Sequence, residues 1–176
     1  RLLWGVRLWL FGKNNAAGLP NSPRTSLIAL MFEGGCQLRS VELFVGAGGL
    51  AIGTAQAGFA HESVIDCDQF ACATLRRNKA EGVAPAKDWE IIERDVREYD
   101  FSRHQGNADV VIGGPPCQPF SLGGKHLGAA DQRNMFPQAV RAVREIAPKA
   151  FMFENVRGLL RRNFANDYSY IIKQLT

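Results

Sequence analysis

Val41-Glu-Leu-Phe-Val-Gly-Ala-Gly-Gly-Leu50 reads as a strand, a tight turn and the start of a helix. Val41 to Val45 is an apolar run of strand length. Gly46, Gly48 and Gly49 then let the backbone approach a ligand closely, and the helix starting near Leu50 turns free N–H groups toward it. Dinucleotide and adenosyl-cofactor folds both use this arrangement, and helix–sheet packing alone accounts for one or two of the glycines. The stretch sets an α/β class and leaves the ligand open.

The flanking sequence extends the pattern. Strands are expected near residues 41–45, 62–66, 90–95, 109–112 and 150–153, with helices near 49–58, 68–80 and 134–147. That alternation argues for a doubly wound parallel sheet, with expected order 3-2-1-4-5. The turns after strands one and four then lie side by side at the switch point, where ligands bind. Val64-Ile65-Asp66 ends on an acid about 20 residues after the glycine turn, where such folds hold ribose hydroxyls. Asp66 serves equally well as a cap for the helix that starts near Asp68.

Two further segments carry chemistry. Asp109-Val-Val-Ile112 leads into Gly113-Gly-Pro-Pro-Cys-Gln-Pro-Phe-Ser121. The glycines and prolines break the strand and display Cys117 on a rigid turn, as an activated nucleophile requires, although a Pro/Gly loop with an incidental thiol has the same composition. Phe151-Met-Phe-Glu-Asn-Val-Arg157 delivers Glu154 and Asn155 to the end of an apolar strand. Burial there is expected to raise the Glu154 pKa and suit it to donate a proton.

Together these motifs resemble the C5-cytosine methyltransferases: Phe44-Val-Gly-Ala-Gly-Gly49 as cofactor loop, Pro115-Pro-Cys-Gln118 as nucleophile motif and Glu154-Asn-Val156, in order and spacing, from about Ser40 to Thr176. The resemblance implies the Rossmann-like sheet of S-adenosylmethionine-dependent methyltransferases, incomplete here at its C-terminal strands. It implies that Cys117 attacks C6 of a flipped cytosine in double-stranded DNA while Glu154 holds the exocyclic amine and N3. Pro116 and Asn155 support that geometry.

S-adenosyl-L-methionine is the implied cofactor. The residues implied to hold it are Phe44, Gly46, Ala47, Gly48, Gly49, Asp66, Cys67, Asp95, Val96, Pro116 and Met135. Asp66 stands where the family usually has a glutamate, and Cys67 where it often has a larger apolar residue. Asp95 matches the acid that accepts the adenine amine. The segment 121–131, with three glycines and Lys125, resembles a loop that closes over substrate, and its composition equally suits a plain surface loop.

Some family segments are missing. The sequence contains no Gln-x-Arg-x-Arg segment, recognition domain or late Gly-Asn motif, so it reads as a fragment expected to be nearly inactive alone. Residues 1–35 read as a non-family extension and 36–176 as a partial catalytic domain, with Met31 a candidate start. Leu2-Leu-Trp-Gly-Val-Arg-Leu-Trp-Leu-Phe11 is about half a membrane span and is interrupted by Arg7.

The net charge of +4 arises before residue 40, where five Lys/Arg face one acid, whereas sixteen of each follow. Charge therefore gives no argument for nucleic-acid binding. Arg76-Arg77 and Arg161-Arg162 read as solvated helix faces. Cys36, Cys67, Cys72 and Cys117 form no metal-binding pattern, and Cys67 and Cys72 read as small buried residues. No metal or membrane is expected, and a reduced cytoplasm suits a thiolate nucleophile. Two rival readings stand beside DNA methylation. One is a tRNA cytosine-5 methyltransferase, disfavoured by Phe120-Ser121. The other is a remnant, or a subunit that needs a separate recognition chain.

Overall fold

The computed structural model describes residues 37–116, 134–156, 159 and 165–175. Strands β1 (Arg39–Leu43), β2 (Ala60–Asp66), β3 (Glu90–Glu93), β4 (Val110–Gly113) and β5 (Ala150–Phe153) form one sheet. Their order is β3-β2-β1-β4-β5 and every neighbouring pair is parallel. Helices α1 (Gly49–Gln56), α2 (Gln69–Ala80), α3 (Phe136–Ile146) and α4 (Ala165–Leu175) alternate with the strands. The expected order is the observed one. The chain runs outward from β1 to β3, then returns to lay β4 against the other side of β1.

Parallel strands need both faces covered, and the apolar runs meet that need. Val41, Leu43, Ile65, Val111 and Phe151 pack on one face with Ala142 and Ile146 of α3. Val64 lies on the other face with Ala51 of α1, Leu75 of α2 and Trp89. In α3 the buried residues Phe136, Ala139, Val140, Ala142 and Ile146 recur at helical spacing. Truncating a fully buried member such as Leu43 or Ile65 to alanine costs about 2–5 kcal/mol.

Strand β1 stops two residues earlier than the apolar run suggests. Phe44 takes a left-handed backbone with φ of 57°, which ends the pleat and costs an L-residue roughly 1–2 kcal/mol. Gly48 caps α1 with φ of 94°, and a Cβ there would sit 2.9 Å from Leu75 Cδ2 and 3.3 Å from Trp89. At Gly113 a Cβ would lie 2.8 Å from the Leu43 carbonyl oxygen. Gly113 therefore lets β4 approach β1 where the two functional turns begin.

Polar contacts fix the turns. The Asp109 carboxylate accepts from the Arg39 backbone N–H at 2.9 Å and pairs with Lys149 at 2.7 Å, linking the entry ends of β1, β4 and β5. Arg141 of α3 donates to the carbonyls of Val96 and Tyr99 and stacks over the Phe101 ring, 4.7 Å from its centroid. Arg141 thereby anchors the turn that follows β3 and carries Asp95. The N-terminal extension, Cys117, segment 121–131 and Arg161-Arg162 lie outside the described residues.

Candidate active site at the sheet switch point

Left-handed Phe44 and Gly46 (φ of 57° and 55°) turn the chain sharply off β1. Among the described residues, no other group comes within 4 Å of where a Cβ on Gly46 or Gly49 would stand, so both face open space there. Gly48, by contrast, is buried against α2. The glycines thus divide into two that face open space and one that packs the helix. Ala47 is exposed, while Phe44 and Met135 are half-buried against the same core cluster.

Asp66 is bound to this loop. Its Oδ2 accepts the Gly46 N–H at 2.7 Å and its Oδ1 accepts the Asp68 N–H at 2.9 Å. The helix cap is Asp68, which accepts from Phe70 and Ala71, both at 2.8 Å. Capping therefore falls to Asp68. Asp66 is left to brace the glycine loop, with lone pairs to spare for a further donor.

Cys67 corrects an expectation. Cys72 is buried as anticipated, but Cys67 is exposed, because it lies one residue past the end of β2 and outside the pleat. Partial desolvation, then the carboxylates of Asp66 and Asp95, raise its thiol pKa above the ordinary value. It is held as a thiol, unsuited to nucleophilic attack. Asp95 is half-buried two residues beyond β3, and Val96 behind it is buried. The side chain of Arg97, then its backbone N–H, lower the Asp95 pKa and keep it ionised.

The ends of β4 and β5 converge beside this cluster. Glu154 N–H donates to the Gly113 carbonyl at 2.9 Å. A Cβ on Gly114 would stand 3.6 Å from Glu154 Oε2, so that carboxylate faces the turn after β4. Asn155 Nδ2 donates to the Pro115 carbonyl at 2.8 Å, and its Oδ1 accepts the Val156 N–H at 2.9 Å. Pro115 is buried, Pro116 is exposed, and Glu154 is half-buried, less enclosed than the preceding Phe-Met-Phe suggests.

Sequence reasoning did not single out Glu42 or Arg97. Glu42 is fully buried in β1, and burial pushes its pKa up to about 8, opposed in part by the Ala51 backbone. His61 lies 3.9 Å away, bonded to Ser40, Thr54 and the Ala51 carbonyl, and burial lowers its pKa, so the two meet as neutral groups. An acid inside an apolar strand run was the available signal for Glu42. Among the described residues, no group of three or more His, Cys, Asp or Glu side chains is arranged to hold a metal ion, and no helix is long and apolar enough to cross a membrane.

Comparison with known proteins bears on the same residues. The profile of the C-5 cytosine-specific DNA methylases matches residues 38–176. The type II methyltransferase M.NgoMIV of Neisseria gonorrhoeae is 45% identical over 138 residues, covering 78% of this chain and 42% of that protein. M.PspPI of a Psychrobacter species is 46% identical over 136 residues, 77% of this chain and 31% of the relative. The chain thus spans less than half the length of these curated relatives. Among solved structures, a prophage-encoded E. coli protein described as a DNA modification methyltransferase superposes with a TM-score of 0.59 at 29% identity, over 78% of this chain and 37% of that one.

Proposed function

From the premise that this chain belongs to the C-5 cytosine-specific DNA methylases, we propose that it is the cofactor-binding and catalytic part of an enzyme methylating C5 of cytosine in double-stranded DNA. The observation that carries the reading is the convergence of Gly114, Pro115, Glu154 and Asn155 at the C-terminal ends of β4 and β5, next to the glycine loop after β1. That convergence brings a proton-managing carboxylate to the turn that leads into Cys117.

S-adenosyl-L-methionine fits the adjoining residues. The open space over Gly46 and Gly49 admits a ligand against backbone, and the carboxylates of Asp66 and Asp95 suit ribose hydroxyls and an adenine amine. Phe44, Met135 and buried Val96 would border it with apolar surface, with Ala47, Cys67 and Pro116 completing the pocket, while Gly48, expected to line it, packs against Leu75 and Trp89 behind it. When bound, the cofactor supplies an electrophilic methyl group.

The protein's own steps follow from its side chains. The Cys117 thiolate adds to C6 of a cytosine turned out of the duplex. Glu154 hydrogen-bonds N3 and the exocyclic amine, so negative charge does not accumulate on the ring while C5 becomes nucleophilic. After methylation, a water molecule takes the C5 proton, and the C5–H electron pair restores the 5,6 double bond as the C6–S bond breaks and releases the thiolate. Asn155 holds the Pro115 carbonyl and with it the turn that bears the nucleophile. A reduced, cytoplasmic setting keeps that thiol available.

Transfer of tritiated methyl groups from S-adenosylmethionine to duplex DNA or to tRNA tests the proposal, with the chain alone and with the C-terminal segment of M.NgoMIV added in trans. Label in DNA that vanishes in Cys117→Ser supports it. Label in tRNA alone would reassign the substrate, and no label in either arm would contradict the catalytic reading.

A further inference from the structure

Arg97 turns back on Asp95 from two residues along the chain. Its Nε lies 3.0 Å from both Oδ1 and Oδ2, its Nη2 reaches Oδ2, and its backbone N–H donates to Oδ1 at 2.9 Å. Guanidinium and main chain thus grip one carboxylate together. The Arg97 side chain is 58% exposed, against 26% for Asp95. A solvent-facing pair of this kind adds little to stability, so the order it imposes calls for another purpose.

The surroundings suggest that purpose. Asp66 and Asp68 join Asp95 in acting electrostatically on the Cys67 thiol, so three carboxylates cluster at and just past the ends of β2 and β3. Left free, Asp95 would rotate about χ1 and χ2 and be pushed away from its like-charged neighbours. A fork with two contacts to the carboxylate fixes the plane of that group as well as its position. The lone pairs that remain then point in a set direction.

Resting on the reading that Asp95 faces the cofactor's adenine, we propose that Arg97 is a positioning residue for adenine recognition. It holds the Asp95 carboxylate in the orientation that accepts the exocyclic amine and rejects a base with an oxygen at that place. Discrimination is strong where a fixed charged acceptor meets the wrong partner, and weak where that acceptor can swing aside.

Calorimetry on the 176-residue chain tests this, using S-adenosylhomocysteine and S-inosylhomocysteine, in which a 6-oxo group replaces the 6-amine. Wild type is expected to favour the adenine compound by about 100-fold. Arg97→Gln is expected to cut that ratio to below about 10-fold with little change in melting temperature. Arg97→Lys, which keeps the charge but loses the fork, should behave like Arg97→Gln, and Asp95→Ala should bring the ratio near one.

An unchanged ratio in Arg97→Gln together with a collapse in Asp95→Ala would overturn the role of Arg97 and leave the adenine reading intact. An unchanged ratio in Asp95→Ala, or no binding by wild type, would overturn both. Full discrimination in Arg97→Lys, or equal weakening of both ligands in Arg97→Gln, would also overturn the proposal, since charge or folding alone would then explain the contact.

Discussion

Asn155 reaches across from the end of β5 to donate a hydrogen bond to the Pro115 carbonyl at the end of β4, 2.8 Å away. Pro115 is buried and the hydrogen bond is part-buried, so water replaces the lost donor only in part. An orphaned buried acceptor costs roughly 1–3 kcal/mol. Asn155→Ala is therefore expected to lower stability by about that amount and slow methyl transfer about 10–100-fold, because the turn leading to Cys117 loses its tether. Binding of S-adenosylhomocysteine, measured by calorimetry, should stay within about twofold of wild type. Methyl transfer at the wild-type rate, or S-adenosylhomocysteine binding weakened more than about tenfold, would contradict this division of labour.

The two kinds of glycine separate stability from binding. Gly48→Ala meets a left-handed backbone and a buried Leu75 at 2.9 Å, so a loss of about 2–4 kcal/mol is expected in urea unfolding. Gly46→Ala carries the backbone strain alone, about 1–2 kcal/mol, because its Cβ enters open space. If that space receives the cofactor, Gly46→Ala should weaken S-adenosylhomocysteine binding at least about tenfold. Unaltered binding in Gly46→Ala would move the ligand elsewhere.

Glu42 makes stability depend on pH. Its folded pKa, about 8, lies above its ordinary 4.5, so its contribution is fully present below pH 4.5 and is lost as pH rises toward and through 8. His61 acts in the other direction. Its folded pKa is lowered, so stability falls as pH drops below its ordinary 6.5. Glu42→Gln keeps the shape without the titration and should gain on the order of 3 kcal/mol over wild type at pH 9, with little difference near pH 5. Urea unfolding at the two pH values measures this. A stability difference between wild type and Glu42→Gln that is the same at pH 5 and pH 9 would show that Glu42 is ionised in the fold.

Much of the architecture was legible because runs such as Val110-Val-Ile112 and Phe151-Met-Phe153 are too apolar to lie outside a sheet, and glycine turns punctuate them. The glycine loop, Asp66, Asp95, Glu154 and Asn155 were legible as motifs. Their contacts were not. Phe44 ends β1 in a left-handed conformation that a bulky aromatic residue rarely adopts, so the run through Val45 read as strand. Asp66 and Asp68 both suit capping, and the choice between them rests on the Gly46 N–H, which only the folded loop presents. Cys67 read as buried because cysteine usually is, whereas its place just past β2 leaves it exposed. The grip of Arg97 on Asp95 is a matter of rotamer, which spacing does not encode.

The catalytic claim rests on one thiol. Duplex DNA containing 5-fluorocytosine blocks loss of the group at C5, so an enzyme of the proposed kind stays covalently attached once the methyl group has moved. The decisive measurement is peptide mapping of the adduct formed with such DNA and S-adenosylmethionine, in the presence of the C-terminal segment of M.NgoMIV. The expected result is a single modified peptide carrying the nucleotide on Cys117, absent from Cys117→Ser and reduced in Glu154→Gln. Attachment at Cys67 or another residue, or an adduct that persists in Cys117→Ser, would contradict it.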